Sequence, residues 1–230
     1  MTEIDNRTLC QRLADLHAER VATWDPAVLQ VNINQRATIQ AQAKRGYFVR
    51  PGDEVSDFEV PEVDGAALRL DALLANGPLV LVFFRFAGCP ACNIALPYYN
   101  DHLAPGLRAL GATLLALSPQ VPERLVEIKR RHQLEFLVAS DLGNALGREF
   151  GILYGFDEPS RRAALARGKS IGDVTGTGTW ELPMPAVIVI DRRRVVRFAD
   201  VSPDWMVRTE APEVLAQVRA LVSVPTAVNA

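Results

Sequence analysis

The chain is poor in cysteine and in aromatic residues, and both shortages limit what it can be. Three cysteines in 230 residues are too few for a disulfide scaffold. Aromatic residues make up 7% of the sequence, whereas hydrophobic residues of all kinds make up 49%. The chain can therefore bury a sizeable core, but that core must be built mainly from aliphatic side chains.

Basic blocks and long apolar runs are also missing. The formal net charge is −2 and no long basic stretch occurs, which argues against nucleic acid as a partner. Every apolar run is too short to cross a bilayer, and the amphipathic, partly acidic N-terminus is unlike a secretory signal. We therefore expect a cytoplasmic protein without a membrane partner, in which a close cysteine pair is catalytic or metal-binding rather than structural.

The order of patterns along the chain predicts an α/β domain behind a helical extension. Residues 1–45 have leucines at helical spacing, among them Leu9 and Leu13, and predict an N-terminal helical extension. Residues 46–225 alternate between apolar strand runs and helical segments and end in a hairpin and a helix. This order predicts a mixed β-sheet sandwiched by helices. The segment 155–182 has no clear period and is interpreted as a loop-rich insertion near the active-site face.

Two of the cysteines form a CxxC motif directly after the apolar run PLVLVFF. Proline is favoured at the first position of a helix, so Pro90 predicts a helix start with Cys89 as its N-cap. Unpaired N–H groups and the helix dipole at that end favour a thiolate. We therefore expect Cys89 to have the lower pKa and the greater exposure and to act as the nucleophile. Cys92, one turn further, would then close a Cys89–Cys92 disulfide.

Other interpretations of the pair are weaker. Two buried thiols without a redox role are possible at any such spacing, but the strand–loop–proline–helix context argues against this. A zinc site needs two more ligands, and the remaining cysteine and the three histidines show no paired spacing. We expect neither a metal nor an organic cofactor. Cys10 is interpreted as a buried small residue, with a resolving role as the minor alternative.

The stretch VLVFFRFAGCPACNIALP resembles the thioredoxin pattern of an apolar strand, a CxxC motif and a proline five residues later. The later stretch MPAVIVID is similar to the second thioredoxin-fold signature, which implies a cis Met184–Pro185 bond facing the sulfurs. Trp180 would line the rim of the site or pack under a loop. Arg85, at the end of the strand, would either stabilise a thiolate or extend into solvent. As an exposed charge, it would change the pKa of the nucleophile only slightly.

Most of residues 50–222 resemble the peroxiredoxin-like branch of the alkyl hydroperoxide reductase/thiol-specific antioxidant family. The resemblance is carried by PGDEVSDFEVPEVDG, LVLVFFRFAGCPACN, GATLLALSPQ, SDLGNALGREFGI, WELPMPAVIVIDRRRVVRFADV and APEVLAQVRAL. It implies a thioredoxin-like fold and thiol-based antioxidant chemistry.

The active-site pattern departs from that family. Arg85 stands at the family's proline, Cys89 at its threonine, Cys92 at its peroxidatic cysteine and Pro185 at its arginine. The peroxiredoxin alignment therefore selects Cys92 as the nucleophile, whereas the thioredoxin alignment and the helix-cap argument select Cys89.

Three functional hypotheses follow. The first is a thiol antioxidant enzyme that reduces hydroperoxides or disulfides and is recycled by a thioredoxin-like protein or a low-molecular-weight thiol. The second is a thiol–disulfide oxidoreductase without peroxidase activity. The third is a non-catalytic redox sensor or interaction protein. A homodimer is a further expectation.

Overall fold

The structure, a computed structural model, describes residues 5–223. The first four residues of the predicted extension and the last two of the predicted domain lie outside the described residues. The strands are β1 (Glu59–Pro61), β2 (Ala67–Arg69), β3 (Leu79–Phe83), β4 (Thr113–Ser118), β5 (Leu137–Ser140), β6 (Leu153–Gly155), β7 (Glu181–Pro183), β8 (Ala186–Ile190) and β9 (Val196–Val201). The helices are α1 (Leu9–Thr23), α2 (Pro26–Ala43), α3 (Leu70–Leu74), α4 (Pro90–His102), α5 (Ala104–Ala109), α6 (Pro122–Arg131), α7 (Ala145–Glu149), α8 (Glu158–Leu165), α9 (Ile171–Thr175) and α10 (Ala211–Ser223).

A five-stranded mixed sheet forms the centre of the molecule, in the order β5-β4-β3-β8-β9. β3 pairs in parallel with β4, and β4 with β5, whereas β8 runs antiparallel to both β3 and β9. The pairs β1–β2 and β6–β7 form two small antiparallel sheets. This is the thioredoxin-like mixed sheet with flanking helices that the sequence predicts.

The central strand β3 is buried on both faces, which explains its unbroken apolar sequence. Val80 and Val82 belong to the larger core cluster on one face, and Leu79, Leu81 and Phe83 to the cluster on the other. Successive side chains of a strand point to opposite faces, so one apolar run supplies both cores. The chain then leaves β3 for the loop that carries the CxxC motif.

The two N-terminal helices pack on the domain. A capping box between Thr8 and Gln11 starts α1, which packs on α4. Asp25 caps α2, which packs on α8 and is also joined to the domain by an ion pair of 2.6 Å between Arg36 and Asp204. The extension therefore contributes side chains to the core cluster that contains both cysteines of the CxxC motif. The boundary between extension and domain at residue 45 stays a prediction.

The segment 155–182 differs from the loop-rich insertion that its sequence predicts. It lies between the paired strands β6 and β7 and contains α8 and α9. These helices have eight and five residues, too short for a helical period to stand out in the sequence. The contact between α8 and α2 provides the tertiary packing that short helices need.

Within residues 5–223, no helix is long and apolar enough to cross a membrane.

Candidate dithiol active site

The CxxC motif lies where the sequence places it. The chain leaves β3, passes through a short loop and enters α4 at Pro90, with Cys89 as the N-cap. The Cys89 carbonyl accepts the N–H groups of Cys92 and Asn93, each at 3.0 Å. The predicted helix start is confirmed, and both sulfurs belong to one turn of backbone.

Neighbouring elements hold the loop before Cys89 in place. Gln120 Oε1 accepts the N–H of Ala87 at 2.8 Å, and Ser118 Oγ donates to the carbonyl of Arg85 at 3.1 Å. Asn93 Nδ2 donates to the carbonyls of Ala87 at 2.7 Å and Cys89 at 2.9 Å. The loop that positions the first sulfur is therefore fixed by the end of β4 and by α4.

Both cysteines are buried, and the expected greater exposure of Cys89 is wrong. Cys89 is 1% exposed and Cys92 is 0% exposed. Their core cluster includes Leu13 of α1, Ile39 of α2 and Trp205 of the segment between β9 and α10. The N-cap position alone leaves a side chain open to solvent, but here Cys89 is part of a core to which these distant elements contribute.

Arg85 is also buried, which corrects the interpretation of an exposed residue at a strand end. It is 8% exposed, and its Nη1 donates to Cys89 Sγ at 3.8 Å. Its guanidinium lies over the ring of Trp205, 4.3 Å from the centroid, and within about 6 Å of the rings of Tyr154 and Phe156. The aromatic faces stabilise the cation where water is excluded.

A second buried arginine lies at the other sulfur. Arg208 Nη2 donates to Cys92 Sγ at 3.7 Å, while its Nε donates to the carbonyl of Trp205 at 2.9 Å. Among the described residues, no carboxylate lies within 4 Å of the Arg85 or Arg208 guanidinium. Sequence reasoning missed Arg208, a lone arginine in the stretch MVRTEAP without a motif around it.

The surroundings shift the pKa values of the two sulfurs in opposite directions. The pKa of Cys89 lies well below its usual value, because Cys92 donates a hydrogen bond to it and because Arg85 and Arg208 add positive charge that outweighs burial. The pKa of Cys92 lies well above its usual value, because of burial and because it keeps the proton that it donates to Cys89. These two directions favour Cys89 over Cys92 as the sulfur that becomes a thiolate.

Tyr154 and Arg20 complete the buried surroundings, and neither was selected from the sequence. Burial raises the pKa of Tyr154 to about 12, so it stays a neutral phenol beside Arg85. Arg20 of α1 is buried against the ring of Trp24, 4.8 Å from its centroid, and Met206 Sδ. Burial lowers the pKa of Arg20, and the charges of Cys89 and Arg85 also act on it.

The predicted cis peptide bond at Met184–Pro185 is wrong, because the described chain contains no cis bond. Met184 is buried in the same core cluster as the two cysteines, and its N–H donates to the carbonyl of Ile152 at 2.7 Å. Pro185 shares a narrow gap with Arg208.

Trp180 and Cys10 make no hydrogen bond to Cys89 or Cys92 within residues 5–223. Trp180 is half-buried and packs on Phe156, with ring centroids 5.7 Å apart. This fits the interpretation of Trp180 as a packing residue better than a role at the rim of the site. Cys10 is exposed on α1, so its interpretation as a buried residue is wrong. Among residues 5–223, no group of three or more metal-ligating side chains occurs.

A thioredoxin-like sheet with two buried free cysteines at the N-terminus of a helix is typical of a thiol oxidoreductase. Comparisons with known proteins agree. The AhpC/TSA family model matches residues 51–199. A Mycobacterium tuberculosis protein that carries the name of a peroxiredoxin is 28% identical over 107 residues, which are 46% of this chain and 69% of that protein.

Two further comparisons extend the likeness. A peroxiredoxin of Escherichia coli is 28% identical over 105 residues, which are 45% of this chain and 65% of that protein. The crystal structure of a peroxidoxin from Mycobacterium tuberculosis superposes with a TM-score of 0.58 at 25% identity, covering 75% of this chain and 98% of that one. The chain belongs to the AhpC/TSA family and is a peroxiredoxin-like thiol oxidoreductase.

Proposed function

We propose that the protein is a dithiol peroxidase in which Cys89 attacks a hydroperoxide and Cys92 resolves the product. The observation that carries the proposal is the pair of buried guanidiniums, each in contact with one sulfur and with no carboxylate partner among the described residues. A buried cation needs an anion close by. The Cys89 thiolate supplies it.

The first step forms a sulfenic acid. The Cys89 thiolate attacks the terminal oxygen of ROOH, the O–O bond breaks, and the alkoxide leaves and is protonated to ROH. Arg85, at 3.8 Å from Cys89 Sγ, is placed to stabilise the negative charge that moves from sulfur to the leaving oxygen. It thereby supplies a positive charge that the family's proline at that position does not.

The second step closes the disulfide. Cys92 sulfur attacks Cys89–SOH, the S–O bond breaks, and the oxygen leaves as water with the proton from Cys92. Cys92 lies in the first turn of α4, and its side chain is close enough to lower the pKa of Cys89, so little movement is required. Arg208 beside Cys92 Sγ favours the thiolate that performs this attack.

The return to the dithiol requires an external reductant, for which we propose a thioredoxin-like protein or a low-molecular-weight thiol. The reductant transfers two electrons and two protons through a mixed disulfide, which fits a reducing compartment such as the cytoplasm. Since both sulfurs are buried, the covering segments must open for this step. We therefore expect recycling to be slower than oxidation. A homodimer, as predicted from the sequence, remains part of the proposal.

Burial also bears on the alternative of thiol–disulfide exchange without peroxidase activity. A protein disulfide must bring a sulfur in line with Cys89 Sγ, which is 1% exposed, whereas a hydroperoxide needs far less space. Burial thus favours peroxide as the first substrate. A redox sensor would use the same two oxidation steps without turnover.

Stopped-flow fluorescence tests the proposal, because Trp205 lies against Arg85 beside the reacting sulfur. The reduced protein is mixed with hydrogen peroxide or cumene hydroperoxide, and we expect oxidation much faster than that of a free thiol at the same pH. Oxidation no faster than a free thiol, together with exchange against a small disulfide, would establish the alternative. Fast oxidation without turnover in the presence of any thiol reductant would indicate the sensor.

A further inference from the structure

A cavity of about 150 Å³ lies beside the dithiol, between α2, α8 and the loop that precedes Cys89. Its apolar walls include Trp24, Val28 and Val31 on one side and Phe86 and Phe156 on the other. Cavities of about this volume in proteins accept a benzene molecule. Neither cysteine lines the cavity, but Arg85, which contacts Cys89, does.

Three polar side chains that line this cavity each have one buried atom without a hydrogen-bond partner among the described residues. They are Gln35 through Nε2, Arg85 through Nε and Ser160 through Oγ, with exposed fractions of 4%, 8% and 6%. Buried polar groups in folded proteins are nearly always paired, so three unpaired groups on one cavity require an explanation. All three groups can donate a hydrogen bond.

The charge around the cavity has one sign. Among residues 5–223, its lining contains Arg85, Arg167 and Lys169 and no acidic residue. Arg85 is itself buried and has no carboxylate within 4 Å among the described residues. Cations together with buried hydrogen-bond donors on one cavity favour an anion there.

We propose that this cavity binds a small organic anion, a carboxylate attached to an apolar body of about six carbon atoms. The carboxylate oxygens accept hydrogen bonds from Gln35, Arg85 and Ser160, and the apolar body packs among the Trp24, Val28 and Phe156 side chains. Binding needs no peroxide chemistry and therefore holds whether or not the protein reduces hydroperoxides.

The site is coupled to the dithiol through Arg85, which donates to Cys89 Sγ through Nη1 and has its Nε free. An anion at Nε shares the positive charge that stabilises the Cys89 thiolate. Occupancy therefore reduces the reactivity of Cys89, so an organic anion bound in the cavity inhibits this cysteine. No other contact between the cavity and the sulfurs is needed for this effect.

Benzoate is the probe, and benzamide is its neutral control. Isothermal titration calorimetry of the reduced full-length chain should show saturable benzoate binding that is at least about tenfold tighter than benzamide binding, because a hydrogen bond to a charged group is the stronger one. Bound benzoate should also slow alkylation of Cys89. Equal affinity for benzoate and benzamide, or no saturable binding of benzoate at millimolar concentration, would overturn the proposal.

Two variants locate the ligand. Gln35→Met removes one unpaired donor at similar volume, and Ser160→Ala removes another; each should weaken benzoate binding about tenfold. Gln42→Met, at an exposed position of the same helix, is the matched control and should bind as the parent protein does. If Gln35→Met and Ser160→Ala both bind benzoate with unchanged affinity, the ligand lies elsewhere and the proposal is wrong. If only one of the two variants folds, its affinity for benzoate decides whether the proposal holds.

Discussion

Replacing Arg85 by methionine should make Cys89 a much weaker nucleophile. The substitution keeps a long unbranched side chain among the Trp205, Tyr154 and Phe156 rings but removes the cation 3.8 Å from Cys89 Sγ. Because Arg85 is 8% exposed, water screens little of its charge. A hydrogen bond to a charged group contributes about 1.5–3 kcal/mol, which is roughly a 10- to 100-fold change in the ratio of thiolate to thiol. An exposed arginine, as the sequence suggested, would have a small effect.

The assay is the rate of alkylation of Cys89 by iodoacetamide as a function of pH, read by mass spectrometry. The exposed Cys10 is replaced by serine in all proteins so that it does not compete. Arg85→Met should shift the profile to higher pH by about one to two units, which lowers the rate by about 10- to 100-fold at pH values below the pKa of Cys89 in the parent protein. Arg130→Met, an exposed position on α6, is the control and should leave the profile unchanged. An unchanged profile in Arg85→Met would refute the role of this arginine.

Three further predictions follow from the same site. The low pKa of Cys89 stabilises the reduced folded state fully above the unfolded cysteine pKa of about 8.5, and this stability is lost as the pH falls through the lower folded pKa, whereas the raised pKa of Cys92 lowers stability above about 8.5. Denaturant midpoints of the reduced protein should therefore rise towards pH 8 and then level or fall, and the Cys89→Ser variant should lack the rise. Arg208→Met should slow disulfide closure more than peroxide attack, so that a sulfenic acid accumulates and is trapped by dimedone, whereas immediate closure would contradict its role at Cys92. Leu13→Ala removes a fully buried side chain of α1 and should cost about 2–5 kcal/mol in the free energy of unfolding while speeding alkylation of Cys89; unchanged alkylation of Cys89 would show that α1 does not control access to that sulfur.

The sequence predicts the strand, loop and helix around the CxxC motif because their signals are local. An apolar run gives β3, and Pro90 fixes the start of α4 and hence Cys89 as its N-cap. The family resemblance likewise gives the mixed sheet, since its motifs span most of the strands. Such elements can be predicted because their signals do not depend on which distant residues pack against them.

The surroundings of the sulfurs come from long-range packing that has no local signal. Arg208 contacts a cysteine 116 positions earlier in the chain. Leu13 and Trp205, from opposite ends of the sequence, belong to the core cluster that contains both cysteines. The predictions of an exposed Cys89 and an exposed Arg85 failed for this reason, because a helix start indicates the direction of a side chain but not which element packs over it.

The identity of the sulfur that hydroperoxide oxidises first tests the central claim most directly. Each single Cys→Ser variant is exposed to one equivalent of hydrogen peroxide with dimedone present, and the adduct is mapped by peptide mass spectrometry. We predict rapid formation of the adduct on Cys89 in the Cys92→Ser variant and no rapid adduct in the Cys89→Ser variant. A rapid adduct on Cys92 when Cys89 is serine would contradict the account and would show that the peroxiredoxin alignment identifies the nucleophile.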